Sequence, residues 1–373
     1  MIRALHLTTH LNTGGITTYI NRLIEPLRRL DVEIQVLSSG GEITPEFVKR
    51  GAKIHELPIR TKSELHPKLY FAIPKIVKII RREKIDLLHA HTRVTQVMSF
   101  WIQRLTGIPV VTTCHGFYKA RIGRKLLPAW GDRAIAISDG VAESLVDLFG
   151  IPKSRISNIY NAVDIDDLDL AYHKHDSEQI RKNYGFKPKD PVLGVIARLV
   201  QDKGHEYLIR AIPGLQKRFP NIRVLIVGEG RQRMHLEALS KELGIQNHVI
   251  FTGNLTDITY AMAAMDIFVL PATWREGFGL SIIEAMTCGK PVVVTNIWAL
   301  NTLIQNRITG LMIEPSQTEP IIQAVTELLT DSALKDRLIV AGREMVEKLF
   351  SIHRMAREIQ ALYQSVLVSR TQA

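Results

Sequence analysis

The sequence predicts an α/β protein made of two doubly wound halves, each a parallel sheet with helices on both faces. Short apolar runs alternate with longer segments of helical period, and this alternation runs through the chain twice. A polar, acidic stretch from 163 to about 191 separates the two series. The chain has 373 residues, enough for two domains of ordinary size.

Taken in order, the first series places strands at 2–7, 32–37, 53–57, 87–89, 110–113, 134–137 and 156–159, with helices at about 15–30, 66–83, 94–105 and 139–148. The acidic stretch, with Asp164, Asp166, Asp167 and Asp169 followed by His173 to Asp176, reads as a structure-poor interdomain region. The second series places strands at 192–197, 223–227, 249–251, 267–270, 292–295 and 310–313, with helices at about 204–218, 231–243, 256–264, 280–287 and 318–329. The segment 332–369 reads as helical throughout, long enough to leave the second domain and pack on the first. The expected domains are therefore 1–165, completed by a helix at about 352–373, and 166–351. Ligands of such sheets bind beyond the carboxyl ends of the strands, so two facing halves would make a cleft lined by strand-end loops.

Composition narrows the function. Hydrophobic residues make up 46% of the chain and no long polar tract occurs, which argues against large-scale disorder. No apolar run reaches the length of a membrane-spanning helix. The first residues enter a strand directly and lack the layout of a signal peptide. Cys114 and Cys288 lie far apart in apolar surroundings, which suits a reducing compartment, with neither a disulfide nor a cysteine metal site. Cytoplasmic residence is the expectation. The net charge of +11 resides in the first half: residues 1–160 hold 24 Lys+Arg against 13 Asp+Glu, and the remainder holds 24 of each. That asymmetry suits an anionic partner, or simple solubility.

Five motifs, one of them spanning two loops, carry chemistry at strand ends. Gly14 and Gly15 follow the first strand and precede a helix, where backbone approaches a phosphate closely or merely turns. The pattern is neither GxGxxG nor a P-loop. Arg198 and Lys203 place two cations on the loop after 192–197, either a solvated pair or a cradle for a leaving diphosphate. Gly228, Gly230 and Arg231, together with Thr252, Gly253, Asn254 and Leu255, mark two further strand-end loops that read equally as tight turns. His115 precedes a glycine at the end of 110–113 and points into the expected cleft, whereas His89 and His91 read as structural or acceptor-side residues. The fifth and most informative segment runs from Glu276 through Phe278, Gly279 and Leu280 to Glu284. Two carboxylates flank a glycine turn at a new helix, where backbone N–H groups hold anions. Hydroxyl binding, to a sugar and a ribose, gives each glutamate a task. No HExxH, strand-end DxD or Cys–His cluster is present, so no metal is expected.

Together these motifs resemble the GT-B glycosyltransferases, specifically the retaining, nucleotide-sugar-dependent family 4. Glu276 to Glu284 matches the family's E-x7-E motif, and Arg198 to Gly204 matches its Arg-x4-Lys-Gly loop. Asn161-Ala-Val-Asp164 resembles the usual Asn-Gly-Val-Asp, Asp132 and Ser138 a second pattern, and the segment from Phe350 through Tyr363 the crossover helix. The resemblance covers nearly the whole chain. It implies that Gly15, with Gly14 beside it, meets the diphosphate or donor sugar. Arg198 and Lys203 would neutralise the departing diphosphate, Glu276 would bind sugar hydroxyls and Glu284 the ribose. The amides of Phe278, Gly279 and Leu280 would approach the diphosphate and sugar. His115 would lie near the reacting carbon, and 228–231 with 252–255 would frame the nucleobase. It also implies retention of configuration and no metal or other cofactor. The loop Gly14-Gly15-Ile-Thr-Thr18 and the helix end at Arg28–Ile34 depart from common family patterns, which leaves the acceptor open.

The expected function is transfer of a sugar from a nucleotide-sugar donor, a UDP-sugar by default, to a glycan, lipid-linked or polysaccharide acceptor. The segments 67–84 and 121–130 are basic and apolar, suiting an anionic inner-membrane face and a lipid-linked acceptor, or an ordinary solvated helix. The alternatives are another GT-B activity, such as a sugar-nucleotide epimerase or a phosphorylase, and a basic nucleic-acid-binding protein. The paired motifs favour transfer, and basic residues interleaved with apolar ones, without an aromatic stacking stripe, disfavour nucleic acid.

Overall fold

The computed structural model describes residues 1–371 apart from 62, 275 and 299. It divides into two compact units, Met1–Ala162 with the chain from Ile352 onward, and Val163–Ser351.

The first unit runs β1 (Ile2–Leu7), α1 (Gly15–Arg28), β2 (Val32–Ser38), α2 (Thr44–Lys49), β3 (Lys53–Glu56), α3 (Pro67–Glu83), β4 (Leu87–Ala90), α4 (Arg93–Thr106), β5 (Val110–Cys114), α5 (Ile122–Leu126), β6 (Arg133–Ala136), α6 (Asp139–Phe149) and β7 (Ile156–Asn158). Its strands form a seven-stranded parallel sheet ordered β3-β2-β1-β4-β5-β6-β7. Leu5, Leu7, Leu37, Leu88 and Val110 on the sheet pack with Ile73, Ile76 and Ile80 of α3 and Met98 and Ile102 of α4. Local signals start the helices: Thr92 and Thr95 form a reciprocal capping box on α4, and the Ser138 hydroxyl accepts the Val141 N–H to cap α6.

The second unit opens with α7 (Ile165–Tyr172) and α8 (Ser177–Asn183) and continues through β8 (Val192–Ile196), α9 (His205–Gln216), β9 (Arg223–Val227), α10 (Arg233–Glu242), β10 (Val249–Gly253), α11 (Ile258–Ala264), β11 (Ile267–Leu270), α12 (Leu280–Thr287), β12 (Val292–Thr295), β13 (Leu311–Ile313), α13 (Glu319–Thr330) and α14 (Ser332–Leu349). Its six-stranded parallel sheet is ordered β10-β9-β8-β11-β12-β13. The last helix, α15 (Ile352–Thr371), belongs to the first unit, where it lies against α1 and buries Ile359 and Tyr363. Its Gln360 side chain donates to the Leu30 carbonyl at 2.9 Å.

One expectation fails, for a local reason. The acidic stretch is helical, because its aspartates are caps: Asp164 accepts the Asp167 N–H at the start of α7, and Asp176 accepts those of Glu178 and Gln179 at the start of α8. The segment 332–369 is helical except at Phe350 and Ser351, where α14 gives way to α15. Phe350 turns out of α14 to bury its ring against Phe278, with centroids 5.6 Å apart, while its carbonyl accepts the Val163 N–H at 2.9 Å. The short helices α2 and α5 have too few turns to show a period and were not expected.

A bidentate ion pair ties α7 to α14: the Arg343 guanidinium donates to both oxygens of Asp169 at 2.7 and 2.6 Å and to the Thr287 carbonyl at 2.7 Å. The hydrogen bonds from Arg343 hold the Asp169 carboxyl below its ordinary 3.8. A lowered carboxylate pKa adds stability above the unfolded value, and that stability is lost as pH falls through the folded value. Asp169→Asn should therefore lower the melting temperature at pH 7 by about 2–4 °C. Calorimetry at successively lower pH should show wild type and variant converging below pH 3.8.

Candidate functional site

In each sheet the chain winds outward one way, then crosses back and winds the other way. The strands flanking the reversal are β1 and β4 in the first unit and β8 and β11 in the second. Loops leaving such a pair diverge and open a crevice at the carboxyl ends. The sequence-selected residues lie at these ends.

In the second unit, the loop after β8 is held by backbone bonds from Ala197 to Val227 (3.1 Å) and from Leu199 to Glu229 (3.0 Å). It then makes a tight turn at 201–203 and ends at Gly204, whose φ of 68° is left-handed. A Cβ there would also stand 1.8 Å from the Pro271 carbonyl oxygen, so glycine is required twice over. This close approach, with the Thr273 N–H donating to the Asp202 carbonyl at 3.0 Å, clamps the β8 loop to the β11 loop. Across the clamp the Lys203 ammonium donates to a carboxylate oxygen of Glu276. The other carboxylate oxygen accepts the Gly277 N–H at 3.1 Å. The two side chains are only 17% and 14% exposed. Arg198, on the same loop, is exposed.

Gly279, at φ 92°, ends the β11 loop and caps α12. Leu280 opens that helix, Glu284 is buried one turn further on, and Phe278 is anchored in the core, which fixes the backbone between the two glutamates. On the other side of β8, a Cβ on Gly228 would lie 2.1 Å from the Ala197 carbonyl oxygen and one on Gly230 would lie 2.3 Å from that of Leu199. The Gly228 N–H donates to the Gly253 carbonyl at 2.9 Å. The loops bearing Arg198, Gly228–Arg231 and Thr252–Leu255 therefore stack side by side, with Arg231 and Asn254 exposed. A cavity of 680 Å³ adjoins them, lined by Arg231, Gln201, Gly204, Tyr207, Thr273 and Ser316 among others, and not by Glu276 or Glu284.

In the first unit, Gly14 caps α1 and Gly15 begins it; both are exposed and a Cβ on Gly15 would meet no atom within 4 Å. The Thr17 hydroxyl lies within hydrogen-bond reach of the Asn12 and Gly14 carbonyls, at 2.8 and 2.7 Å, and fixes the turn. His115 follows β5, partly exposed, with its ring edge-on to Tyr19 at 4.7 Å between centroids. Its Nε2 is 3.0 Å from His91 Nδ1, and His91 Nε2 is 3.0 Å from His6 Nδ1. Desolvation pushes His115 and His6 down to about 3, and holds His89 and His91 well below their ordinary value. All four are therefore neutral at physiological pH.

His6, His89 and His91 have ring nitrogens within 4.8 Å of one another, a spacing that could hold a metal ion. Every one of those nitrogens already has a protein hydrogen-bond partner, which a cation would have to displace. The sequence singled out no role for His6, placed Tyr363 only in the crossover-helix match, and marked His89 and His91 as structural or acceptor-side. The signal was there: His89 on β4 and His91 just past its end are two residues apart, the spacing that puts side chains on one face of a strand, and His6 pairs in register with His89 on the neighbouring strand.

Two family models match the chain, glycosyltransferase family 4 over residues 13–167 and glycosyl transferases group 1 over residues 176–345. The chain is a family 4 glycosyltransferase. It is 25% identical to N-acetyl-alpha-D-glucosaminyl L-malate synthase of Bacillus anthracis, over 97% of this chain and 96% of that one. It is 28% identical to the UDP-Gal:alpha-D-GlcNAc-diphosphoundecaprenol alpha-1,3-galactosyltransferase of Escherichia coli, over 79% of each. An Anabaena protein crystallised with UDP and glucose shares its fold at a TM-score of 0.84, with 20% identity over 98% of this chain and 100% of that one. The enzyme thus has the GT-B architecture of two Rossmann-like units, and its family retains anomeric configuration.

Four histidines kept neutral in the folded enzyme impose a pH dependence. Unfolding lets each return towards 6.5, so between that value and about 3 the unfolded chain binds more protons and stability falls as pH falls. The melting temperature should decline steadily from pH 6.5 downward, and proton uptake on unfolding, read by calorimetry in buffers of different ionisation enthalpy, should reach more than one proton near pH 5.

Proposed function

We propose that the enzyme transfers a hexosyl unit from a UDP-sugar to a lipid-linked glycan acceptor at an anionic membrane face, without a metal ion. The observation that carries the donor half is the Lys203–Glu276 pair beside Arg198 at the β8–β11 crevice. As the glycosidic bond to the diphosphate breaks, negative charge grows on the departing phosphate oxygen. A lysine already fixed in place and an arginine with fork geometry stabilise that charge with little reorganisation. Glu276 accepts hydrogen bonds from donor-sugar hydroxyls and Glu284 from the ribose, while the amides at Phe278, Gly279 and Leu280 meet the diphosphate and sugar at the start of α12. The loops 228–231 and 252–255 frame the base, and Gly15 and His115 meet the donor sugar. The UDP named with two of the similar proteins supports uracil as the base.

The acceptor half rests on the first unit's surface. Phe71 on α3 is 79% exposed and Ile122 and Leu126 on α5 are 77% and 79% exposed, among Lys75, Lys78, Arg121 and Lys125. The two segments adjoin: Arg93 donates to Glu64, just before α3, at 3.3 Å, and to the Gly123 and Leu127 carbonyls around α5 at 3.3 and 2.8 Å. Exposed apolar side chains ringed by cations suit the interface of an anionic bilayer. The diphosphoundecaprenol-linked acceptor in the Escherichia coli relative's name supports a lipid-linked substrate.

A thermal-shift panel of UDP, GDP and ADP, followed by hydrolysis of UDP-sugars, tests the donor. UDP should raise the melting temperature most, and Lys203→Ala and Glu276→Ala should each lower turnover at least about tenfold, about 1.4 kcal/mol. Wild-type turnover in both variants would sink the donor assignment. For the membrane face, the enzyme should float with liposomes containing anionic lipid and not with neutral ones, and Phe71→Ser with Ile122→Ser should abolish flotation. No flotation with either liposome removes that part of the proposal.

A further inference from the structure

The first unit contains an unbroken chain of hydrogen bonds that ends on His115. Thr113 Oγ1 is 2.6 Å from His89 Nε2, His89 Nδ1 is 2.6 Å from Tyr363 Oη, and Tyr363 Oη is 3.1 Å from His6 Nε2. His6 Nδ1 is 3.0 Å from His91 Nε2, and His91 Nδ1 is 3.0 Å from His115 Nε2. His6, His89, His91 and Thr113 are at most 1% exposed. We propose that His91, backed by His6, Tyr363, His89 and Thr113, is a positioning residue that fixes the ring orientation and the tautomer of His115. This rests on the reading of His115 as a group that meets the donor sugar.

A neutral imidazole has one N–H and one bare nitrogen. At each imidazole–imidazole link one nitrogen must donate and the other accept: two N–H groups clash, and two bare nitrogens leave a buried link unmade, at a desolvation cost. The tautomer of His6 therefore sets that of His91, which sets that of His115. The three imidazoles act in concert, in two arrangements. In one, His91 donates to His115 Nε2 and His115 carries its proton on Nδ1, the nitrogen outside the chain. In the other, His115 donates from Nε2 and presents a bare Nδ1. The first gives the sugar a hydrogen-bond donor and the second an acceptor. Charging is no escape, because the His6–His91, His89–His91 and His91–His115 rings lie 5.0, 4.3 and 5.3 Å apart in a desolvated cluster where a proton on one repels a proton on the next. A cluster that served packing alone would be met by apolar side chains of similar volume without the desolvation cost of six ring nitrogens.

The test uses the full-length enzyme with 15N-labelled histidine, whose long-range 15N–1H correlations report each tautomer directly at pH 7. Wild-type His91 and His115 should show matching neutral tautomers, both protonated on Nδ1 or both on Nε2; unmatched tautomers, or a charged ring, overturn the proposal without any variant. His91→Asn puts an amide where Nδ1 reached His115, whereas His91→Gln puts one where Nε2 reached His6. In UDP-glucose hydrolysis, His91→Asn should stay within about threefold of wild-type kcat, and His91→Gln should lose about tenfold or more with KM little changed. In the Gln variant His115 should also populate both tautomers. Equal losses in the two variants with an unchanged His115 spectrum would assign His91 to packing and overturn the proposal. Tyr363→Phe, which removes one oxygen in the middle of the chain, should likewise mix the tautomers. Wild-type kcat in His115→Ala would overturn the functional reading of His115 on its own, while the spectra still decide the coupling.

Discussion

Every strand pairing in both sheets is parallel, and that shared direction is the constraint on which the rest depends. Parallel strands bring all their carboxyl ends to one edge, so residues far apart in sequence meet there. The reversal of winding at β1–β4 and again at β8–β11 then parts the loops at one point of each edge. Gly14 and His115 in one unit, and Lys203 and Glu276 in the other, are gathered by the same geometric rule applied twice. The sheets bring them to these edges, and between Lys203 and Glu276 an ion pair then holds them.

Within that frame, the second unit's site is built by removing side chains. Gly204, Gly228 and Gly230 each bring backbone within a distance no Cβ tolerates, against Pro271, Ala197 and Leu199. These approaches turn three loops into one surface, at the entropic cost that glycine carries in the unfolded chain. The result is a rigid platform on which Lys203 already has its countercharge. A half-buried lysine without Glu276 would bear a desolvation penalty, and a half-buried Glu276 without Lys203 would bear the same. Each partner therefore holds the other in place until a ligand competes for both.

The fold was legible because periodicity is local. β1, β9, β11 and β12 begin and end where their apolar runs do, and the glycine-punctuated strand ends pointed to the loops that matter. What stayed hidden is what depends on tertiary context. The aspartates at 164 and 176 look like a solvated linker until their carboxylates are seen capping helices. Phe350 looks like one more helical position until its ring finds Phe278. The E-x7-E spacing announced a site, but the pairing of Glu276 with Lys203 joins residues on different loops and has no sequence period. The histidine cluster lies between these cases: its strand alternation is readable, whereas the hydroxyl that links it comes from Tyr363, 274 residues beyond His89.

That last contact gives α15 a second purpose. Docking of the helix against α1 could be met by any apolar stripe, and Ile359 supplies one. A tyrosine at 363 is a costlier choice, because a buried phenol must find partners for its hydroxyl. It finds two, His89 and His6, and without it those two imidazoles would each face an unmatched nitrogen in a site that excludes water. Helix α15 thus completes a polar network whose other members stand on three central strands or, in His91 and His115, just past the ends of two of them. Folding of the first unit is not finished until a segment made after the entire second unit has returned to it. The hydroxyl that His89 and His6 share comes only with Tyr363, so their complete hydrogen bonding belongs to the fully assembled first unit and not to its strands alone.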